Sequence, residues 1–408
     1  MKIPFPKLAL ALSVAAGIPS THATDLIKAD NGSSLRTAGT YAPPNETVNL
    51  PSASDRIIFN NVFANTTSTI NTGGLTISAL VIQDPGHAVT LSTGGALTVG
   101  TLDLSAATQN LTIGGNYATR MSGSAPSVTV KSGVTLTINT TFHVNTNGAG
   151  PIAIAGDGST SINGAIIDGD ATKITKITKT GNGILTSSGS NTYTGQTTVS
   201  SGTLLINGTH TMSSGTTSAA AYNITGGILG GTGSIDLSAV NSGVTLGSGA
   251  KLAAGGSGGA SVESLAFALG TGSLDTTGAI GGANTGAFVF ELGSNITPGS
   301  TFDQIVLTSG SLDIGTGLLE ATDFSFTTLS GFGAGVYVLF DTASTISGTL
   351  GANTSVDLGN GYTGTLSLSD SNTNLILTVV PEPQTAALVC LAMGTTFVFI
   401  TRRRRQQS

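Results

Sequence analysis

The chain has 408 residues, of which 58 are glycine, 9% are charged and 5% are aromatic, with no tryptophan and a formal net charge of −6. This composition excludes the disordered class of chains, which combine low hydrophobicity with high charge. It also argues against long helices, because each interior glycine costs a helix roughly 1 kcal/mol relative to alanine. The sequence therefore predicts an all-β protein.

The N-terminus, residues 1–23, has the organisation of a secretory signal peptide. Lys2 and Lys7 precede an apolar stretch at 8–18, and small residues follow up to Ala23. The stretch is too short to span a bilayer, whereas its flanks are typical of export signals. We therefore predict a signal helix that is recognised by the secretion translocon and removed by signal peptidase after Ala23.

The exported part that follows holds no cysteine, since Cys390 lies in the apolar C-terminal run. Its stability must therefore come from backbone ladders and packing and not from disulfides. Residues 24–380 carry 9 of the 15 basic and 20 of the 21 acidic residues, a net charge of −11. An acidic surface of this kind gives no reason to expect nucleic acid as a partner.

The first part of this body, residues 24–61, contains Pro43, Pro44 and Pro51 and shows no alternating pattern. We expect it to be an irregular lead-in that caps the N-terminal end of a rod formed by residues 62–380. Solenoid rods need such caps because their terminal repeats would otherwise expose strand edges.

From Leu75 onward, apolar residues recur two positions apart in short runs that glycine, asparagine or serine interrupts. Leu75 with Ile77 and Val89 with Leu91 are examples. This period indicates strands with one buried face, and their regular spacing fits a sandwich, a barrel or a β-solenoid. Similar phrases such as SGVTLTI and SGTLLIN recur at the breaks. This repetition favours a solenoid with about 20–25 residues per rung.

One stretch, residues 177–209, closely resembles the autotransporter-associated β-strand repeat. The matching positions are Lys179, Gly181, Gly183, Leu185, Asn191, Tyr193, Gly195, Thr197, Gly202 and Leu204. The resemblance implies a right-handed parallel β-helix, in which Tyr193 would cap or stack along one face. Self-transporting proteins of this family end in a membrane barrel, and the residues after Val380 leave no room for one. We therefore expect a passenger-like rod that another system delivers.

The C-terminus, residues 381–408, is similar to the PEP-CTERM sorting signal. Its parts are Pro381-Glu382-Pro383, an uncharged stretch at 385–401 that would form a single transmembrane helix, and the basic cluster Arg402, Arg403, Arg404 and Arg405. The positive-inside rule places that cluster in the cytoplasm and the rod outside. The resemblance implies that the tail anchors the protein transiently in the cytoplasmic membrane until an exosortase removes it. The prolines should keep this segment out of helices and ladders, and so accessible. A plain stop-transfer anchor is the alternative.

The sequence offers little for catalysis, and we expect no catalytic residue, cofactor or metal site. Gly255 to Gly259 fit the nucleophile elbow G-x-S-x-G, but a hydrolase of that order needs a later histidine, and none follows His210. Asp157, Asp168 and Asp170 could line a groove, as in β-helical polysaccharide lyases and hydrolases. They stand beside glycines, however, where aspartate commonly forms turns.

Two functions from different classes remain. We expect a non-enzymatic exported rod that serves a structural or adhesive role at the cell surface or in the extracellular matrix, with an extracellular polysaccharide as a further candidate partner. The alternative is a carbohydrate-active β-helix enzyme of the cell surface.

Overall fold

The computed structural model describes residues 24–30, 34–37, 40–42, 51–215, 220–256, 262–281, 285–294, 301–369 and 371–382. In these ranges the regular structure is almost entirely β, with one 3₁₀ helix at Ala321–Asp323. None of the helical segments there has the length and apolar character needed to cross a membrane. The predicted signal helix and the predicted transmembrane helix at 385–401 both lie outside the described residues.

The strands follow one another at short intervals along the described chain. Those of the first half are β1 (Asp25–Ile27), β2 (Arg56–Phe59), β3 (Thr67–Ile70), β4 (Leu75–Ile82), β5 (Val89–Thr93), β6 (Leu97–Leu104), β7 (Leu111–Gly115), β8 (Thr119–Met121), β9 (Ser127–Val130), β10 (Thr135–Ile138), β11 (Phe142–Val144), β12 (Ile152–Ala155), β13 (Ser159–Ile162), β14 (Ile177–Lys179), β15 (Ile184–Ser187), β16 (Ser190–Asn191), β17 (Thr197–Val199) and β18 (Thr203–Ile206). Those of the second half are β19 (Thr209–Thr211), β20 (Tyr222–Ile224), β21 (Gly227–Gly230), β22 (Ser234–Asp236), β23 (Val244–Leu246), β24 (Ala250–Ala253), β25 (Ser264–Asp275), β26 (Phe288–Leu292), β27 (Gln304–Leu319), β28 (Phe324–Thr328), β29 (Gly335–Thr342), β30 (Ser347–Leu350), β31 (Ser355–Gly359), β32 (Tyr362–Leu368) and β33 (Asn374–Pro381).

Most strands stack in parallel into three columns, which the chain visits in turn. Face 1 begins with β1 and β2 and continues through β9, β12, β14 and β17 to β30. Face 2 is the separate 11-stranded sheet from β3 to β28, and face 3 contains β8, β11, β19 and β22. The long strands β4, β6, β25 and β27 contribute to both face 3 and face 1, so these two faces form one sheet.

The coil has a nearly constant length in the middle of the chain. Thr135 pairs with Ser159, 24 residues on, and Ser159 pairs with Ile184, 25 residues on. The 11 described strands of face 2 would extend roughly 50 Å at about 4.8 Å per strand. This arrangement confirms the predicted all-β class and is consistent with a β-solenoid.

Aliphatic side chains from equivalent positions of successive coils form the core. Leu91, Ile113, Ile138 and Ile162 are in register on face 2, and each is fully buried. Neighbouring residues in each strand point outward, so the two-residue apolar spacing of the sequence becomes an inward row. Each buried aliphatic side chain contributes roughly 1.5–3 kcal/mol.

A column of glycines forms one corner of the coil. Gly156, Gly181, Gly202 and Gly227 have φ angles of 91°, 69°, 70° and 70°. A Cβ atom on any of the last three would overlap a backbone carbonyl of the preceding glycine in the column. This corner therefore requires glycine both for its left-handed backbone and for the close approach of successive coils.

The parallel stack begins earlier than the sequence analysis expects. β1 pairs with β2, and β2 pairs with β4, in parallel register. Residues 24–61, which we expect to be an irregular lead-in, therefore contain the first two strands of face 1. Leu26 and Ile57 are buried in the core and explain this position, because two short apolar strands can join a stack without an extended alternating pattern.

The C-terminal end departs from the expected parallel rod through residue 380. β33 pairs antiparallel with β29 and β32, and β32 pairs antiparallel with β31. We call β29, β31, β32 and β33 the closing sheet. It buries Leu366, Leu375, Leu377 and Val379 in the same core as the coils. Antiparallel hairpins can thus cover the apolar end of the stack, which another coil would leave exposed.

Candidate functional site

The closing sheet positions the first two residues of the predicted sorting signal. Pro381 is the last residue of β33 and lies opposite Tyr362 of β32, and the Glu382 N–H donates to the Gly361 carbonyl at 2.8 Å. The prediction that the prolines keep this segment out of the ladder is therefore wrong for Pro381. β29 ends opposite Val379, so no strand pairs with the side on which Pro381 lacks its N–H.

This junction is exposed although its backbone is paired. Val380 is 47% exposed and Pro381 is also exposed, whereas Val379 is buried. Tyr362 packs edge-on against Phe332 with ring centroids 5.4 Å apart, which attaches β32 to the body of the molecule. The signal therefore begins at the surface of a folded sheet. Pro383, Arg402, Arg403, Arg404 and Arg405 lie outside the described residues, as does Ala23.

Within the recognised repeat, Lys179 is turned into the coil and is only 1% exposed. Its Nζ donates to the carbonyls of Thr180 and Gly181 at 2.7 and 2.9 Å. Burial lowers the pKa of the Lys179 ammonium to about 8, and the charge of Asp157 partly opposes this shift. The lysine of the repeat thus satisfies corner carbonyls and is not presented to a ligand.

The asparagine of the repeat, Asn191, is also buried and joins neighbouring coils. Its Oδ1 accepts from the Ile166 N–H at 2.9 Å, and its Nδ2 donates to the Thr209 carbonyl at 2.9 Å and to the Ser187 hydroxyl at 2.9 Å. A polar side chain in the core is therefore satisfied by the coils on both sides, as a buried amide requires.

Tyr193 of the repeat belongs to a buried polar network. It stacks on His210 with ring centroids 4.1 Å apart, and the Tyr222 ring meets His210 edge-on at 5.6 Å. His210 Nε2 lies 2.8 Å from the Tyr193 carbonyl, which only accepts, so this nitrogen carries the proton. Nδ1 therefore accepts from the Tyr222 hydroxyl at 2.7 Å. Burial lowers the pKa of His210 to about 4, so the ring is neutral.

The stacking role expected for Tyr193 is thus observed inside the core and not along an outer face. His210 and Tyr222 were missed as its partners. They lie one strand later on faces 3 and 1, and only the coil length places them beside Tyr193.

The three aspartates that could have lined a catalytic groove serve their own loops. Asp157 accepts from the Asn182 N–H at 3.0 Å, and Asp168 accepts from the backbone N–H groups of Thr175 and Thr194. Asp170 accepts from Thr172 and forms an ion pair with Lys173 at 2.7 Å. These are the contacts of turn-forming aspartates.

A pair of buried carboxyls was not identified from the sequence. Glu291 and Asp303 are 1% and 0% exposed. Asp303 accepts from the N–H groups of Glu263 and Glu291 at 2.7 and 2.8 Å. Burial, with a hydrogen bond to Asp303 and its charge, raises the pKa of Glu291 to about 9. The signal that could have revealed it is a lone glutamate in the apolar run FVFEL. Both groups are shielded from solvent, so we assign them to the fold.

Comparison with known proteins bears on the repeat alone. The model of the passenger-associated-transport-repeat family matches residues 177–206. No curated protein matches the chain, and no solved structure matches it. The family match covers Lys179, Asn191 and Tyr193, the residues whose side chains hold this part of the coil together. It supports a passenger-like, exported β-rich protein.

Proposed function

We propose that this protein is a non-enzymatic, exported rod of the bacterial cell surface or extracellular matrix, with a structural or adhesive role. In this proposal the three faces close into a right-handed parallel β-helix. The observation that carries it is the stack of parallel coils around a passenger-associated repeat at 177–206. The buried polar groups of that repeat bond to neighbouring coils, which is the use expected in a rod.

Delivery is the second part of the proposal. Signal peptidase would cleave after Ala23 once the translocon has engaged the N-terminus, and residues 385–401 would hold the rod transiently in the cytoplasmic membrane. An exosortase would then recognise Pro381, Glu382 and Pro383, with the arginines at 402–405 on the cytoplasmic side. The exposed end of β33 supports this order, because the signal leaves the folded body at its surface.

The test is fractionation of cells that produce the chain with and without Glu382→Gln, followed by mass spectrometry of the C-terminus. The substitution removes the carboxylate but keeps the N–H that bonds to Gly361. We expect the native protein to reach the surface with a shortened C-terminus and the variant to remain in the membrane fraction at full length. Asp357→Asn, which changes another exposed carboxylate of the closing sheet, serves as the matched control.

Two results would contradict this function. Release of the native protein with residues 402–405 still attached would exclude processing by an exosortase. Production of reducing ends from plant or algal polysaccharides, abolished by Asp168→Ala, would show that the enzyme alternative is correct.

A further inference from the structure

Two arginines line one cavity near the N-terminal end of the stack. The cavity has a volume of about 330 Å³, at the lower end of the range for small-molecule sites of roughly 300–1,000 Å³. Arg36 and Arg120 lie on its wall with Thr76, Thr98 and the backbone of Gly73 and Gly74. Its lining therefore combines two permanent positive charges with hydroxyl groups.

Both guanidinium groups are held in place by the fold. Arg120 is on β8 of face 3, in register with Thr98 on one side and His143 on the other. Arg36 follows Leu35, which is fully buried and donates its N–H to the Thr69 carbonyl at 2.9 Å. The Tyr41 hydroxyl donates to the Leu35 carbonyl at 2.6 Å and fixes the same turn.

Neither guanidinium has its charge compensated within the described part of the chain. The ion pairs there are Arg56 with Asp25 and Lys173 with Asp170. The Nε atoms of Arg36 and Arg120 are both buried without a hydrogen-bond partner. A buried donor without a partner is costly, and two such donors on one cavity point to an acceptor that the protein itself does not provide.

We propose that this cavity binds one carboxylate or sulfate group of an acidic oligosaccharide. Planar guanidinium groups match the oxygens of such anions, and the hydroxyls of Thr76 and Thr98 can bond to sugar hydroxyls. The net charge of −11 over residues 24–380 repels a long polyanion, so the site accepts a single acidic sugar or a chain end. The choice of a saccharide as the source rests on the proposed surface function, whereas the anion site rests on the cavity.

The test is isothermal titration calorimetry of the purified full chain. The probes are a galacturonate dimer, a longer galacturonate oligomer, a sulfated disaccharide, sodium sulfate and neutral dextran. We expect both acidic disaccharides to bind, the longer oligomer to bind no more tightly per chain, and dextran not to bind. Arg36→Gln and Arg120→Gln should each weaken binding on the order of tenfold or more.

Two further variants separate the site from general charge effects. Gly73→Ala keeps every charge but places a Cβ where the Arg36 guanidinium now lies, so it should also weaken binding. Arg56→Gln removes an arginine that is already paired with Asp25 outside the cavity, so it should bind as the native chain does.

The absence of binding by every anion, or equal weakening by Arg56→Gln, would overturn the proposal. Binding of sodium sulfate without either acidic disaccharide would overturn the saccharide assignment. None of these results depends on export or processing of the tail, so failure of this proposal and failure of the proposed function are distinguishable.

Discussion

The middle of the molecule and its C-terminal end solve the same packing problem differently. In the regular coils, which we define as residues 111–253, Leu111 pairs with Leu136 after 25 residues. At the C-terminal end, which we define as residues 264–381, the coils are longer. Phe288 of β26 pairs with Phe324 of β28, 36 residues on.

The difference teaches how coil length selects the core. Short coils repeat small aliphatic residues and place a glycine at a fixed corner, so equivalent positions stabilise one another. The longer coils enclose a wider section, which phenylalanines fill; Phe288 meets Phe340 edge-on at 5.2 Å. Buried carboxyls and antiparallel strands appear there as well. The regular coils therefore depend on repetition, whereas the C-terminal end depends on individual contacts.

The largest expected effect tests the aromatic core of the C-terminal end. Phe290 contacts the rings of Phe324 and Phe340 at 6.2 and 5.7 Å. Phe290→Ala should destabilise this end by about 3–5 kcal/mol, because it leaves a cavity that the surrounding rings cannot fill. Hydrogen exchange measured by mass spectrometry should show faster exchange in residues 264–381 and little change in the regular coils. Equal loss of protection along the whole chain would show that the two regions are one cooperative unit.

The next effect tests the glycine corner of the regular coils. Gly202→Ala places a Cβ against the Gly181 carbonyl in a left-handed backbone, so we expect a loss of about 3 kcal/mol. Gly359 of the closing sheet has nearly the same φ, 72° against 70°, but nothing lies within 4 Å of its added Cβ. Gly359→Ala should therefore cost only about 1 kcal/mol.

Urea unfolding of the two glycine variants measures the difference. Similar midpoints for both would mean that backbone conformation, and not the stacking of coils, accounts for the glycine column.

A third effect concerns the buried carboxyls of the C-terminal end. The pKa of Glu291 is raised to about 9 from an ordinary value of 4.5, so the folded chain keeps a proton that the unfolded chain has lost. This contribution to stability is complete below about pH 4.5 and declines as the pH rises towards 9. Glu291→Gln retains a hydrogen-bond donor and does not titrate. It should be more stable than the native chain by about 2 kcal/mol at pH 9, and the difference should shrink at pH 5.

Thermal unfolding at pH 5, 7 and 9 checks the Glu291 prediction. A pH-independent difference between the two chains would show that Glu291 does not hold a proton in the folded state.

Parts of this organisation follow from the sequence, and parts need the coil length. The spacing of Leu75 and Ile77 predicts inward-facing strand positions, and both residues are buried. The partners of Tyr193 could not be predicted, because nothing local shows that His210 lies one coil away. The antiparallel closing sheet was also missed, since the alternation of β32 and β33 is the same in parallel and antiparallel strands.

The smallest effect places an opposite pH dependence in the regular coils. Burial lowers the pKa of His210 to about 4, below its ordinary value of 6.5, so the unfolded chain binds a proton that the folded chain refuses. The stability from neutral His210 is therefore complete above about pH 6.5 and is lost as the pH falls towards 4. His210→Gln keeps one donor and one acceptor but loses the stacking on Tyr193. It should be less stable than the native chain by about 1 kcal/mol at pH 7.5, and this difference should vanish near pH 5.

His87→Gln, at an exposed histidine, is the matched control and should show no such crossover between the two pH values. If hydrogen exchange at pH 5 shows the regular coils loosening while residues 264–381 tighten, the two regions respond to protons in opposite directions, as neutral His210 and protonated Glu291 require. Loosening of both regions together at pH 5 would contradict this difference, because it would mean that acid acts on the net charge of the whole rod and not on these two buried groups.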